Sequence, residues 1–163
     1  MSRESGATGE LRVPLGTRRD TRVLARRLAP HLAAGDLVVL SGPLGSGKTF
    51  LTRALARCLG LPARVAVTSP TFTLVRELDT TPRMAHADLY RSSGDADVEL
   101  LGLDAMREEG WLLVVEWGEP HIRALGGDAL VVELQRSPRL AALRATGERS
   151  EAILAALCQE AAP

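Results

Sequence analysis

Lysine is nearly absent from this 163-residue chain: the 20 basic residues include a single lysine, Lys48, and all the others are arginine. The chain keeps a compact ammonium at one place only, where a planar guanidinium fork does not serve. Aromatic residues make up 3%, too few for base-stacking platforms on single-stranded nucleic acid. The formal net charge is +0, whereas a protein that grips bare nucleic acid alone carries a basic excess. Of the two cysteines, Cys58 and Cys158, each lies in an apolar helical pattern with no metal-ligand or C-x-x-C spacing. They are expected to be core thiols. No apolar run approaches the roughly 18 residues of a membrane span. The polar start "MSRESGATGE" lacks the apolar stretch of a secretory signal. A cytoplasmic protein without membrane contact is expected.

What is present is ordinary for a globular protein: 45% hydrophobic and 25% charged residues. The length suits one domain. Residues 1–10 read as a disordered N-terminus and residues 11–163 as a single domain. "LRVPL" suits a short edge strand. Thr17 with Asp20 forms an approximate capping box, and Leu24, Leu28 and Leu32 continue a helix that Pro30 and Gly35 close. Arg18, Arg22 and Arg26 form a basic stripe on it, read as a solvated face. "DLVVL" is a short apolar run, read as a buried strand. A helix is expected from Lys48 to Leu59, capped by Gly60. "ARVAVTSPTFTLVREL" reads as a strand, a turn at Ser69-Pro70 and a second strand. "RMAHADLY" reads as a strand, "DADVELLGLDAMREEG" as short and helical, and "WLLVVEW" as a second continuous apolar strand. "DALVVELQRSPRLAALRAT" reads as a hairpin turning at Ser137-Pro138, after which Ser150 caps a final helix. Continuous apolar strands between helices predict a three-layer α/β fold with a mostly parallel central sheet and a C-terminal hairpin plus helix.

The lone lysine sits in Gly42-Pro43-Leu44-Gly45-Ser46-Gly47-Lys48-Thr49, which satisfies G-x-x-x-x-G-K-[ST] at every fixed position. Glycines allow torsions barred to other residues, so successive N–H groups can face one centre. The helix that follows points its positive end at the same centre. Lys48 then reaches the outer phosphates, and the Thr49 hydroxyl can ligate Mg²⁺. Gly42, Leu44, Gly45, Ser46, Gly47, Lys48 and Thr49 are therefore the candidate phosphate site.

Such a loop needs an acid to hold the magnesium shell and to position water. Glu116 ends "WLLVVEW", a run of Walker B character with glutamate in the usual aspartate place. Asp88 lies in "HADLY", where alternation puts His86, Asp88 and Tyr90 on one face. Both acids end apolar strands, where sheets of this kind carry ligands. His86 by itself reads as a structural histidine. In "TSPTFTLV", Ser69-Pro70-Thr71 puts hydroxyls at the end of the first strand read there, as a candidate switch loop that senses the third phosphate and its metal. No arginine stands out beside the glycine-rich turn, so hydrolysis is expected to be slow alone and stimulated by a partner. A GTPase reading fails because N-K-x-D needs a second lysine. An ABC ATPase reading fails because L-S-G-G-Q is missing. A small-molecule kinase stays open, with "RSSGDAD" as a candidate lid.

Taken in order, "GPLGSGKT", "TSPTFTLV", "HADLYR", "VELLGLD" and "VVEWGE" resemble the TsaE family, formerly YjeE, from about Val13 to Glu119. The resemblance implies a bacterial P-loop ATPase needed for threonylcarbamoyl modification of the adenosine beside the anticodon of tRNA. It implies ATP and Mg²⁺ as cofactors, TsaD and TsaB as protein partners, and tRNA only indirectly through them. By matching position, Leu44 to Thr49 cradle phosphates, Thr49 and Glu116 form the metal site, and Thr71 lies in the switch segment. Lys48, Asp88 and Glu116 are the implied catalytic groups, and Tyr90, Arg91 and Trp117 fall in matching blocks. Two departures are Ala87, where an aromatic is usual, and Pro43, where an acidic residue is usual.

Overall fold

The computed structural model describes residues 9–160. The disorder expected at the N-terminus falls mainly on residues 1–8, outside those described. Strands β1 (Leu11–Pro14), β2 (Leu37–Ser41), β3 (Val75–Leu78), β4 (Met84–Asp88), β5 (Leu112–Glu116), β6 (Ala129–Arg136) and β7 (Arg139–Ala145) form one sheet. Its order is β1-β7-β6-β2-β5-β4-β3. The pairs β6-β2, β2-β5 and β5-β4 are parallel. The pairs β1-β7, β7-β6 and β4-β3 are antiparallel. The parallel part is thus the four central strands, and both flanks are antiparallel. The central runs Leu37–Leu40 and Leu112–Glu116 are buried throughout, as a sheet covered on both faces requires.

Helices α1 (Arg18–Leu28), α2 (Lys48–Cys58) and α5 (Glu148–Glu160) cover one face. Their Leu24, Leu28, Leu51, Leu55, Leu154 and Leu157 pack on Val38, Leu40, Leu112, Val114, Leu130 and Val132. Helices α3 (Asp95–Glu99) and α4 (Leu103–Glu108) cover the other. There Val98 and Leu103 pack on Leu37, Val39, Leu113, Val115 and Val131. Odd and even strand residues thus divide into two cores, the three-layer arrangement that the alternation of apolar strands and helices predicts.

The capping box is formed: the Asp20 N–H donates to Thr17 Oγ1 at 3.2 Å and the Thr17 N–H to Asp20 Oδ2 at 2.7 Å. Thr17→Ala should lower stability by about 1 kcal/mol, the usual worth of an N-cap hydroxyl, and thermal denaturation followed by circular dichroism checks it.

The structure corrects several expectations. The segment 63–67 is irregular, not a strand. β3 takes the place beside β4 in the sheet. The carbonyls of segment 63–67 go instead to α2 arginines: Arg57 Nη2 donates to Val65 O at 2.5 Å and Arg53 Nη2 to Val67 O at 2.9 Å. Cys58 and Cys158 are exposed, not core thiols, because each lies on the outward side of its helix. The stretch 95–110 is broken by Gly102, which takes φ 67° and separates α3 from α4. The final helix starts at Glu148, and Ser150 lies in its first turn. The Ser150 hydroxyl accepts from the N–H groups of Thr146 and Gly147, and the Asp128 carboxylate accepts from those of Arg149 and Ser150. The cap is a carboxylate from a distant loop, which local sequence does not reveal. The stripe Arg18, Arg22 and Arg26 is exposed, as expected of a solvated face, and the guanidinium carbons of Arg18 and Arg22 also lie 5.7 and 5.6 Å from the centre of the Phe50 ring.

Candidate phosphate and metal site

Strand β2 ends at Ser41 and the glycine-rich turn begins at Gly42. Gly42 has φ 126°, and a Cβ there would meet the Leu134 carbonyl oxygen at 2.4 Å. No other residue passes β6 at that point. The turn closes with the Ser46 N–H donating to Pro43 O at 3.1 Å. Gly47, at φ 106°, starts α2, whose first turn holds no acidic residue. No residue of α2 itself therefore masks the positive end that it turns to the opening.

That opening is a cavity of about 440 Å³, lined by Leu44, Gly45, Gly47, Lys48 and Thr49 from the turn and helix, and by Thr71, Asp88 and Glu116 from three other segments. Gly42 and Ser46 support it from behind. The Lys48 ammonium donates to Gly42 O at 2.6 Å, Pro43 O at 3.0 Å and Ser46 Oγ at 3.4 Å. Burial holds the Lys48 ammonium below its ordinary pKa, opposed by the negative charges of Glu116 and Asp88. Its nitrogen also lies 4.2 Å from the centre of the Trp117 ring, which packs on Tyr90 with centroids 5.0 Å apart. Trp117 takes φ 60°, an uncommon backbone for a bulky residue. It follows the last residue of β5 directly, so the chain turns sharply where the site begins.

Parallel pairing places Asp88 opposite Glu116 and His86 opposite Val114. His86, Asp88 and Glu116 then share the face that meets α2. The Thr49 hydroxyl donates to Glu116 Oε1 at 2.8 Å, and His86 Nε2 lies 2.8 Å from the same oxygen. A carboxylate accepts only, so the ring hydrogen belongs on Nε2. His86 is fully buried, and its Nδ1 has no partner. Its bond to Glu116 ties that carboxylate to β4. Asp88 has different company. The Ser69 hydroxyl donates to Asp88 Oδ2 at 2.5 Å, the Thr71 hydroxyl to Ser69 Oγ at 3.3 Å, and the Tyr90 N–H to Asp88 Oδ1 at 3.0 Å. Asp88 is thus tied to the segment 69–71, and Glu116 to the start of α2.

The residues fit magnesium and a polyphosphate. Thr49 and Glu116 offer hard oxygen donors side by side, the kind Mg²⁺ takes alongside phosphate oxygens and water. Lys48 and the helix N-terminus offer positive charge to phosphates. The bond of Ser69 to Asp88 and the packing of Trp117 on Tyr90 join groups that local spacing does not connect. The hydroxyl-rich "TSPT" and the aromatic after Glu116 were their only local signals.

A sequence model of one family, described as "Threonylcarbamoyl adenosine biosynthesis protein TsaE", matches residues 15–143. The chain is 48% identical over 120 residues to the tRNA threonylcarbamoyladenosine biosynthesis protein TsaE of Streptomyces coelicolor, covering 71% of this chain and 79% of that one. It is 33% identical over 145 residues to the protein of the same name from Bacillus subtilis, covering 86% and 87%. Among solved structures it resembles YdiB of Bacillus subtilis, with a TM-score of 0.74 at 26% identity over 97% of this chain and all of that one. With this match over most of its length, the chain belongs to the TsaE family of tRNA threonylcarbamoyladenosine biosynthesis proteins.

Proposed function

We propose that residues 11–163 act as one magnesium-dependent ATPase domain, serving a TsaD–TsaB–TsaE machinery that modifies the adenosine next to the anticodon. The observation that carries this is the Thr49 hydroxyl bonded to the Glu116 carboxylate at 2.8 Å, at the mouth of a glycine-rich turn that holds Lys48. Lys48 and the loop N–H groups bind the phosphates and favour the charge that builds during transfer. Thr49 and Glu116 would hold magnesium, which neutralises phosphate oxygens when bound. His86 keeps Glu116 in place. Asp88 orients the attacking water and passes the state of the site to Ser69 and Thr71. The zero net charge supports contact with tRNA through partners and not directly. No helix among the described residues is long and apolar enough to cross a membrane, which is compatible with work in the cytoplasm, where ATP and tRNA are found.

The asymmetry of the site predicts slow turnover alone, because among the described residues no arginine except the exposed Arg91 lines the cavity on the Asp88–Glu116 side. An arginine supplied by a partner can raise such a rate by orders of magnitude. Steady-state phosphate release should therefore be low for the isolated chain and rise on adding TsaD and TsaB. A fast partner-free rate would overturn this reading. Transfer of phosphate to a small-molecule acceptor would favour a P-loop kinase instead.

A further inference from the structure

Strand β6 flanks β2 on the side away from β5. It pairs with β2 from Ala129 to Glu133 and then runs on to Arg136, past the rim of the parallel sheet. This overhang follows the glycine-rich turn along its length. The Leu134 carbonyl lies against Gly42, close enough that a Cβ there would meet its oxygen at 2.4 Å. Arg136 Nη1 donates to Leu44 O at 3.4 Å. Across the hairpin, Arg139 is the register partner of Arg136, and its Nη2 lies 3.9 Å from where a Cβ on Gly47 would sit. The backbone fixes this tip, because the Leu15 N–H donates to Arg139 O at 3.0 Å. Both side chains are exposed. Among the described residues neither forms an ion pair with a carboxylate.

The expectation that no arginine lies beside the turn is thereby corrected. Two guanidinium groups without a carboxylate partner thus flank the glycine-rich turn, one at Leu44 and one at Gly47 beside the positive end of α2, just outside the lining of the cavity. We propose that Arg139, with Arg136 beside it, binds the inner phosphates of the nucleotide, the diphosphate that ATP and ADP share. The placement decides which phosphates. Thr49, Glu116 and Asp88 lie toward β5 and β4 and so claim the metal and the outer phosphate. The hairpin approaches from the opposite flank, beside Gly47 at the junction of loop and helix. A planar fork matches two phosphate oxygens at once, which explains an arginine there alongside the one lysine. The inference rests on the reading of the cavity as a nucleotide site and names a further residue for it.

Calorimetry of the full chain with Mg²⁺-ATP and with ADP tests it, on the parent, Arg139→Ala, Arg139→Lys and Lys48→Ala. Arg139→Ala should weaken both nucleotides alike, by about tenfold, the scale of one charge-assisted contact. Arg139→Lys should recover only part of the loss. Should the alanine variant lose its native circular dichroism, Arg139→Gln serves the same comparison. If Arg139→Ala binds both nucleotides like the parent while Lys48→Ala does not, the inference fails and the nucleotide site stands. A loss confined to ATP also overturns it, because that would put Arg139 at the outer phosphate. A parent chain that binds neither nucleotide overturns the nucleotide reading, and this inference with it.

Discussion

Lys48→Ala should lower ATP affinity tenfold or more while the fold stays intact. The lysine is 5% exposed, and its ammonium is held over the turn by the carbonyls of Gly42 and Pro43 and by Ser46 Oγ. Those partners are part of the turn itself, so removing the side chain leaves the sheet and both cores untouched. What goes is a charge-assisted contact to phosphate, worth about 1.5–3 kcal/mol. Desolvation makes the ammonium costly to bury, and the Glu116 and Asp88 charges only partly offset that cost. A phosphate at the same place offsets it further. Calorimetry measures the affinity and circular dichroism the fold. An unchanged affinity would mean that the glycine-rich turn is not where nucleotide binds.

Glu116 and Asp88 should fail in different ways when neutralised. Glu116→Gln should weaken magnesium-dependent ATP binding and hydrolysis together. A glutamine oxygen can still accept from Thr49 and His86 as Glu116 Oε1 does, so the local geometry survives and only the negative charge is lost. Mg²⁺, a hard cation with few protein ligands here, then lacks its one charged neighbour on that strand. Asp88→Asn should leave nucleotide binding nearly unchanged and lower hydrolysis at least tenfold, about 1.4 kcal/mol of transition-state stabilisation. The asparagine can still accept from the Tyr90 N–H and can donate to Ser69 Oγ, where Asp88 now accepts from it. The hydrogen bonds to the segment 69–71 therefore persist while the base is gone. A magnesium titration of ATP binding and single-turnover hydrolysis, run on both variants, separates the roles. Loss of magnesium dependence in Asp88→Asn but not in Glu116→Gln would reverse them. Parent-like hydrolysis in both would remove the strand ends from the chemistry altogether.

Several features of this protein are determined by local sequence. The capping box at Thr17 and Asp20, the apolar strand leading into Gly42, the helix from Lys48 and the hairpin turn at Ser137-Pro138 each depend on residues within a few positions of one another. So does the phosphate loop, because its glycines and lysine act through their own backbone and stem. Tertiary structure decided the rest. Asp88 stands opposite Glu116 only because β4 pairs with β5 in that register, and a slip of one residue would turn either carboxylate to the other face. His86 bonds to Glu116 from 30 residues away. Segment 63–67 has strand-like composition but joins no strand, and α2 arginines take its carbonyls. Arg136 and Arg139 reach the loop because β6 overruns the sheet, although Arg136 lies 92 residues from Leu44 in sequence. The physical reason is common to all of these. Periodicity and turn chemistry report what a segment can satisfy within itself, whereas strand order and register determine which distant polar groups each side chain meets.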